Sequence, residues 1–186
     1  MKLEILCAGI GGRGVLLAST ILIEAAIAAG LKASASDEYG MSQRGGSVVS
    51  LVKIGDFKSP LIGRENAGIL LSFEESEFYR NLTFLKRDGR VIVNTHKDAL
   101  PGEVERLLKE RNIRAYLVDG DGIAKQKGMI KASNIAILGY FSSLRIAPYS
   151  YENIKQTIVE KTKGKFLEKN LEIFEAGFRQ AEGRDQ

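Results

Sequence analysis

Cysteine is nearly missing from this sequence. Its 186 residues contain one, Cys7, so no disulfide framework forms within them. One thiolate cannot hold an iron–sulfur cluster or a structural zinc ion, which need several. A single cysteine suits a reducing compartment. Histidine is equally scarce, with His96 alone. A Ser–His–Asp triad would depend on it, and no G-x-S-x-G elbow accompanies it. G-x-x-x-x-G-K-[ST] is absent, which argues against a P-loop nucleotide hydrolase. No apolar run approaches the roughly 18–20 residues of a membrane span. The opening MKLEILCAG has too short an apolar stretch for the centre of a signal peptide. The expectation is a cytoplasmic protein that does not enter membranes.

Hydrophobic residues make up 44% and charged residues 27%, a balance that lets a chain of this length bury a core as one domain, residues 1–186. The net charge is +4, yet Lys and Arg are scattered among Asp and Glu. Without a basic block or aromatic–basic interleaving, nucleic acid is not the expected partner. Mild basicity suits an acidic protein or an anionic cofactor equally well.

The order of elements carries the fold. Residues 2–8 read as a strand, 9–14 as a glycine turn, and 15–29 as a helix apolar on nearly every side, hence buried. Residues 31–36, 47–54, 67–73, 91–94 and 113–118 read as further strands. Between them, 74–85 opens with Glu74, Glu75 and Glu77, which suits the positive end of a helix dipole. "RDGR" then turns the chain, and Pro101 is placed as the first residue of a helix reaching Glu110. From Ser133 the pattern is helical only. Helices are expected over 133–144, capped by Ser133, over 152–162, and over 165–181. The last puts Phe166, Asn170, Leu171, Phe174 and Phe178 on one face. Strands alternating with helices predict a mainly parallel, Rossmann-like sheet in a three-layer α/β/α arrangement, with a helical C-terminal third.

Gly9, Gly11 and Gly14 match G-x-G-x-x-G between a strand and a helix, with Gly12 and Arg13 inside the loop. That is the context of a dinucleotide fingerprint, in which backbone amides at a helix start hold a pyrophosphate. The same glycines also serve close helix–sheet packing. Asp37 and Glu38 are candidates for the acidic ribose contact, but they follow Gly9 by 28 and 29 residues, where about 20 is usual. His96 has no identifiable catalytic partner, and Cys7 lies within a buried strand pattern. No catalytic residue is assigned.

The loop GIGGRGVLLASTILIEAA, followed by EYGMSQRGGSVVSLVKIG, resembles the gamma-type module of 2-oxoacid:ferredoxin oxidoreductases. Within that family it looks most like the indolepyruvate branch, in its beta subunit. The motif carriers are Gly9 to Val15, Gly40 to Val48, and Ser59 to Ile62. SNIAILGYFSSL and FLEKNLEIFEAGF look like the family's N-x-x-x-L-G and N-x-x-x-F-x-x-G helices. Arg13 stands where the family usually has Gln. The resemblance implies a subunit of a coenzyme-A-acylating oxidoreductase that binds no cofactor of its own. Thiamine diphosphate and [4Fe–4S] clusters would sit on a larger alpha subunit, coenzyme A would enter the assembled complex, and ferredoxin would take the electrons. It implies oxidative decarboxylation of an aryl pyruvate, with pyruvate or branched-chain 2-oxoacids as alternatives. An isolated copy could also self-associate.

On this resemblance, Glu38, Met41, Gln43, Arg44, Gly45, Gly46 and Ser47 form a loop facing the larger subunit or the substrate path. Gly45 and Gly46 would let the chain turn sharply into the strand at Ser47. The planar fork of Arg44 suits a carboxylate or phosphate. A structural ion pair at Arg44 and a glycine bulge would account for the same residues. If the chain were instead a free-standing NAD(P)- or FAD-binding protein, the pyrophosphate would lie on Gly9, Gly11, Gly12, Arg13 and Gly14. A third reading is a scaffold that uses this surface only for assembly.

Overall fold

The computed structural model describes residues 1–40, 45–162 and 164–182, and among these described residues six strands and seven α-helices follow one another. The chain runs β1 (Leu3–Ile10), α1 (Val15–Ala28), β2 (Ala33–Tyr39), β3 (Ser47–Ile54), β4 (Ala67–Ser72) and α2 (Glu75–Asn81). It continues through β5 (Leu85–Asn94), α3 (Gly102–Glu110), β6 (Arg114–Val118) and α4 (Gly120–Gln126). It ends in α5 (Ser133–Ser143), α6 (Tyr151–Lys161) and α7 (Leu167–Glu182). The strands form one sheet in the order β2-β3-β1-β4-β5-β6. β1, β4, β5 and β6 are parallel. β3 runs antiparallel to both β1 and β2, between which it lies. The sheet is mixed but mainly parallel, sandwiched by helices, as the alternation of elements predicts.

β1 shows why the sheet needs two covers. Ile5 and Cys7 face one core, with Ile21 and Leu22 of α1 and Ile135 and Phe174 of the C-terminal helices. Leu6 and Ala8 face the other, with Phe78 of α2 and Leu108 of α3. Successive strand residues point to opposite faces, so a strand covered twice is apolar without alternation. The C-terminal helices lie on the α1 side. There α5 and α7 touch backbone to backbone. A Cβ on Gly139 would stand 2.0 Å from the Phe174 carbonyl oxygen, and one on Gly177 2.0 Å from that of Ala136. The two helical motifs singled out in the sequence thus meet at their glycines.

Several expectations need correction. α1 is not buried all round: Leu16, Leu17 and Ile27 are exposed, because the sheet and the C-terminal helices cover only part of its circumference. The helix expected over 74–85 ends at Asn81, and a short 3-10 turn leads into β5. RDGR does turn, but inside β5. Ala67 pairs with Leu85 and Ile69 with Arg90, so the residues between bulge outward. Pro101 caps α3 from outside rather than opening it. Ser133 is the first helical residue, preceded by a 3-10 turn that places Ala132 at the cap, and its hydroxyl is buried without a partner. α7 starts at Leu167, which leaves Phe166 in a 3-10 turn and half exposed, off the helix face.

Candidate functional site

The carboxyl ends of the parallel strands meet the β1–α1 glycine loop at one end of the sheet. Ligands of open α/β folds bind at that end. Gly14 precedes α1 with φ 73°, a left-handed conformation that favours glycine. Asn134 of α5 donates its side-chain amide to the Gly14 carbonyl at 3.2 Å, and a Cβ on Gly14 would lie 2.5 Å from that nitrogen. A Cβ on Gly9 would lie 2.8 Å from Val15 Cγ2. Two of the three fingerprint glycines therefore serve close packing.

The third serves a different purpose. The Gly11 amide donates to the Gly46 carbonyl at 2.9 Å, tying the glycine loop to the connection between β2 and β3. Arg13 is held as firmly. One arm of its guanidinium meets Glu74 at 2.7 Å and the other meets Asp121 at 2.8 Å. These carboxylates follow β4 and β6, so Arg13 laces three loops together. Asn94, at the end of β5, joins the same edge: it donates to the Phe73 carbonyl and accepts from the Asp121 amide.

This geometry favours packing over a dinucleotide cradle. The Gly11 amide and both arms of Arg13 are engaged within the chain. β3 separates β1 from β2, which puts Asp37 and Glu38 two strand spacings, about 10 Å, from β1. Asp37 also accepts a bond from Ser50 Oγ at 2.6 Å.

The β2–β3 connection is anchored on both flanks. The Gly40 amide donates to the Ser47 carbonyl at 2.7 Å. Gly45 has φ 78°, supplying the expected turn. Ser47 Oγ donates to Glu77 Oε2 at 2.7 Å. Glu77 is 1% exposed and also meets Arg80, while Asn81 donates to its backbone carbonyl. The structure thus brings Gly45, Gly46 and Ser47 beside Gly11, with Glu38 at the exposed end of β2. Met41, Gln43 and Arg44 lie outside the described residues. Glu77 was invisible to sequence reasoning. It sat in an acidic run read as complementing a helix dipole, and nothing nearby signalled its partner thirty residues earlier.

Two cavities flank the Gly11–Gly46 bridge. One, of about 670 Å³, is apolar and lies between the start of α1 and the hairpin, walled by Val15, Leu16, Leu17, Tyr39 and Val48. The other, of about 580 Å³, is lined by Gly45, Ser47, Ser76, Glu77 and Arg80. Ile10, Gly40, Gly46 and Ser47 line both.

Beside them, Glu75 accepts from Lys97 and Thr95 at 2.7 Å and from Tyr79 at 2.8 Å. The Lys97 bond leads in holding its carboxyl down to about 2. Burial, reinforced by Glu75, pushes the Tyr79 phenol up to about 12. His96 is an exposed loop residue. Cys7 is fully buried, and burial pushes its thiol up. Among the described residues, no group of three or more His, Cys, Asp or Glu is placed to hold a metal ion. No helix among them is long and apolar enough to cross a membrane.

Known proteins share this architecture. The family model for pyruvate ferredoxin/flavodoxin oxidoreductases matches residues 4–180. The chain is 33% identical to the indolepyruvate oxidoreductase subunit IorB of Archaeoglobus fulgidus, covering 97% of this chain and 96% of that protein. It is 30% identical to the pyruvate synthase subunit PorC of Methanocaldococcus jannaschii, covering 95% of each. The solved gamma subunit of a keto/oxoacid ferredoxin oxidoreductase from Geobacter sulfurreducens superposes with a TM-score of 0.78 at 26% identity, covering 97% of this chain and 99% of that one. With a match running from β1 through α7, the chain belongs to the pyruvate ferredoxin/flavodoxin oxidoreductase family, as a gamma/beta-type module of its 2-oxoacid:ferredoxin oxidoreductases.

Proposed function

We propose that this chain, as one module over residues 1–186, is the beta subunit of an indolepyruvate:ferredoxin oxidoreductase. The observation that carries the reading is the 33% identity to the IorB subunit across almost the full length of both proteins. In this reading a larger alpha subunit carries thiamine diphosphate and [4Fe–4S] clusters. The complex decarboxylates an aryl pyruvate, transfers the acyl group to coenzyme A, releases carbon dioxide and passes two electrons to ferredoxin.

The chain's own part is positional. Gly9, Gly11, Gly12, Arg13 and Gly14 form the platform on which the hairpin stands. Glu38, Met41, Gln43, Arg44, Gly45, Gly46 and Ser47 form the loop offered to the larger subunit, near its active site or the coenzyme A path. The Gly11–Gly46 bond and the Ser47–Glu77 bond support this reading, since they fix both the height and the direction of the loop's return.

A second reading keeps the subunit and changes the acid. It is favoured by the 30% identity to the PorC subunit of a pyruvate synthase. The test is anaerobic co-purification of the chain with the larger subunit from its native cells. Coenzyme-A-dependent ferredoxin reduction is then compared for indolepyruvate, pyruvate and a branched-chain 2-oxoacid. The highest kcat/KM with indolepyruvate supports the proposal. Preference for pyruvate transfers support to the second reading. A chain that elutes alone, carrying a nicotinamide or flavin, overturns both.

A further inference from the structure

β2 is the edge of the sheet, and among the described strands none pairs with its outer side. Natural edge strands resist pairing with other chains by proline, lysine, bulges or a covering element. β2, ASASDEY, has no proline or lysine, and both of its faces carry exposed residues. It pairs with β3 from Ala33–Ile54 to Tyr39–Val48 without a register shift.

The backbone parity of this edge is determined. The Gly40 amide bonds to Ser47 and the Gly55 amide to Lys32. Residues 32 and 40 are therefore of the set that exchanges bonds with β3, as are the even positions between them. The amides and carbonyls of Ala33, Ala35, Asp37 and Tyr39 point outward. Two such edges related by a two-fold axis pair with odd positions opposite odd. Centring the axis on Asp37 sets carboxylate against carboxylate. Centring it on Ser36 sets Glu38 against Ser34 and leaves Lys32 without a counter-charge. Centring it on Ala35 sets Lys32 against Glu38 and Leu31 against Tyr39, each twice.

That last register answers what the edge leaves open. Glu38 has no hydrogen bond or ion pair among the described residues, and Tyr39 is 64% exposed. Lys32 lies 2.8 Å from Asp56 at the surface, with 78% of its side chain exposed, and its ammonium has donors to spare. We propose that two copies of this chain associate through antiparallel β2 edges about a two-fold axis at Ala35, making one sheet continuous through both. The inference stands apart from the subunit assignment, because it uses only the strand edge and its charges.

The test is sedimentation equilibrium of the full chain at tens of micromolar, with its variants. The expected mass is twice 20.4 kDa. Glu38→Lys and Lys32→Glu should each weaken the dimer by about tenfold or more, since each turns two attractive pairs repulsive. The double variant should restore it. Ala35→Pro removes an outward amide without touching the β3 ladder, and should give monomer. On oxidation, Ala35→Cys should cross-link, with Cα atoms about 5.5 Å apart across the axis. Ala33→Cys, about 14 Å from its mate, should not. Cys7 is buried and stays silent. A monomeric wild type, a dimer indifferent to the charge exchanges, or equal cross-linking at both positions overturns the proposal. A monomer whose Ala35→Pro variant fails to hold the larger subunit also overturns it and assigns the edge to that subunit.

Discussion

The amide of Gly11 donates to the carbonyl of Gly46 across 2.9 Å, joining two glycine motifs that the sequence keeps thirty-five residues apart. The amide that a dinucleotide fingerprint would turn toward a phosphate here supports the hairpin. Gly46, just before β3, is thereby held at the carboxyl end of β1, with a cavity on either side.

The buried end of that hairpin gives the first prediction. Ser47→Ala removes a hydroxyl from the buried Glu77 carboxylate and leaves it short of a donor. The expected loss is about 1–2 kcal/mol, read as a fall in Tm of several degrees. An unchanged Tm would mean that the bond contributes nothing to holding the hairpin.

Arg13 supplies the second. Its two ion pairs are about one-third exposed at the arginine end, so Arg13→Gln should cost only about 1 kcal/mol. The wild type should lose that advantage as salt is raised, while the variant should be less salt-sensitive. Urea unfolding at low and high ionic strength checks both.

The α5–α7 crossing supplies the third. Gly139→Ala or Gly177→Ala would drive a methyl into a carbonyl oxygen of the facing helix. Each should destabilise by about 2–3 kcal/mol or more. Gly102→Ala, with no neighbour within 4 Å of the added carbon, should stay within about 0.5 kcal/mol of wild type. Chemical denaturation midpoints at equal m-value decide it.

Glu75 supplies a pH dependence. Its carboxyl is held at about 2 against an ordinary 4.5. Above pH 4.5 both folded and unfolded chains are ionised, and the stabilisation is fully present. As pH falls from 4.5 toward 2 the unfolded chain takes up a proton that the folded one refuses, and the stabilisation drains away. Glu75→Gln should cost about 1–2 kcal/mol at pH 7 and flatten the stability profile in that window. Unfolding free energies measured between pH 2 and 6 give the comparison.

Elements with a strong local signature were legible. α1 is apolar at all of its fourteen positions except Ser19, Thr20 and Glu24, and the middle of β1 is apolar without alternation because both faces are covered. α4 was not legible. Its sequence GDGIAKQ contains two glycines in seven residues, a poor helix by propensity. It forms because Asp119 caps it, accepting from the Gly122 amide at 2.8 Å, and because Gly120 and Ala124 are buried. The cap expected at Ser133 failed for the converse reason, since the 3-10 turn before it moved the helix boundary.

From the sequence alone came the layered α/β class, the family resemblance and the segments that carry it. Local propensity, hydrophobic period and residue identity are properties of the chain itself. Tertiary structure decided that β3 would lie between β1 and β2. It also decided that Arg13 would spend its charge on Glu74 and Asp121, and that Glu77 would receive Ser47. Those contacts join residues far apart in sequence, and each depends on which strands become neighbours, a choice made by the packing of the whole sheet.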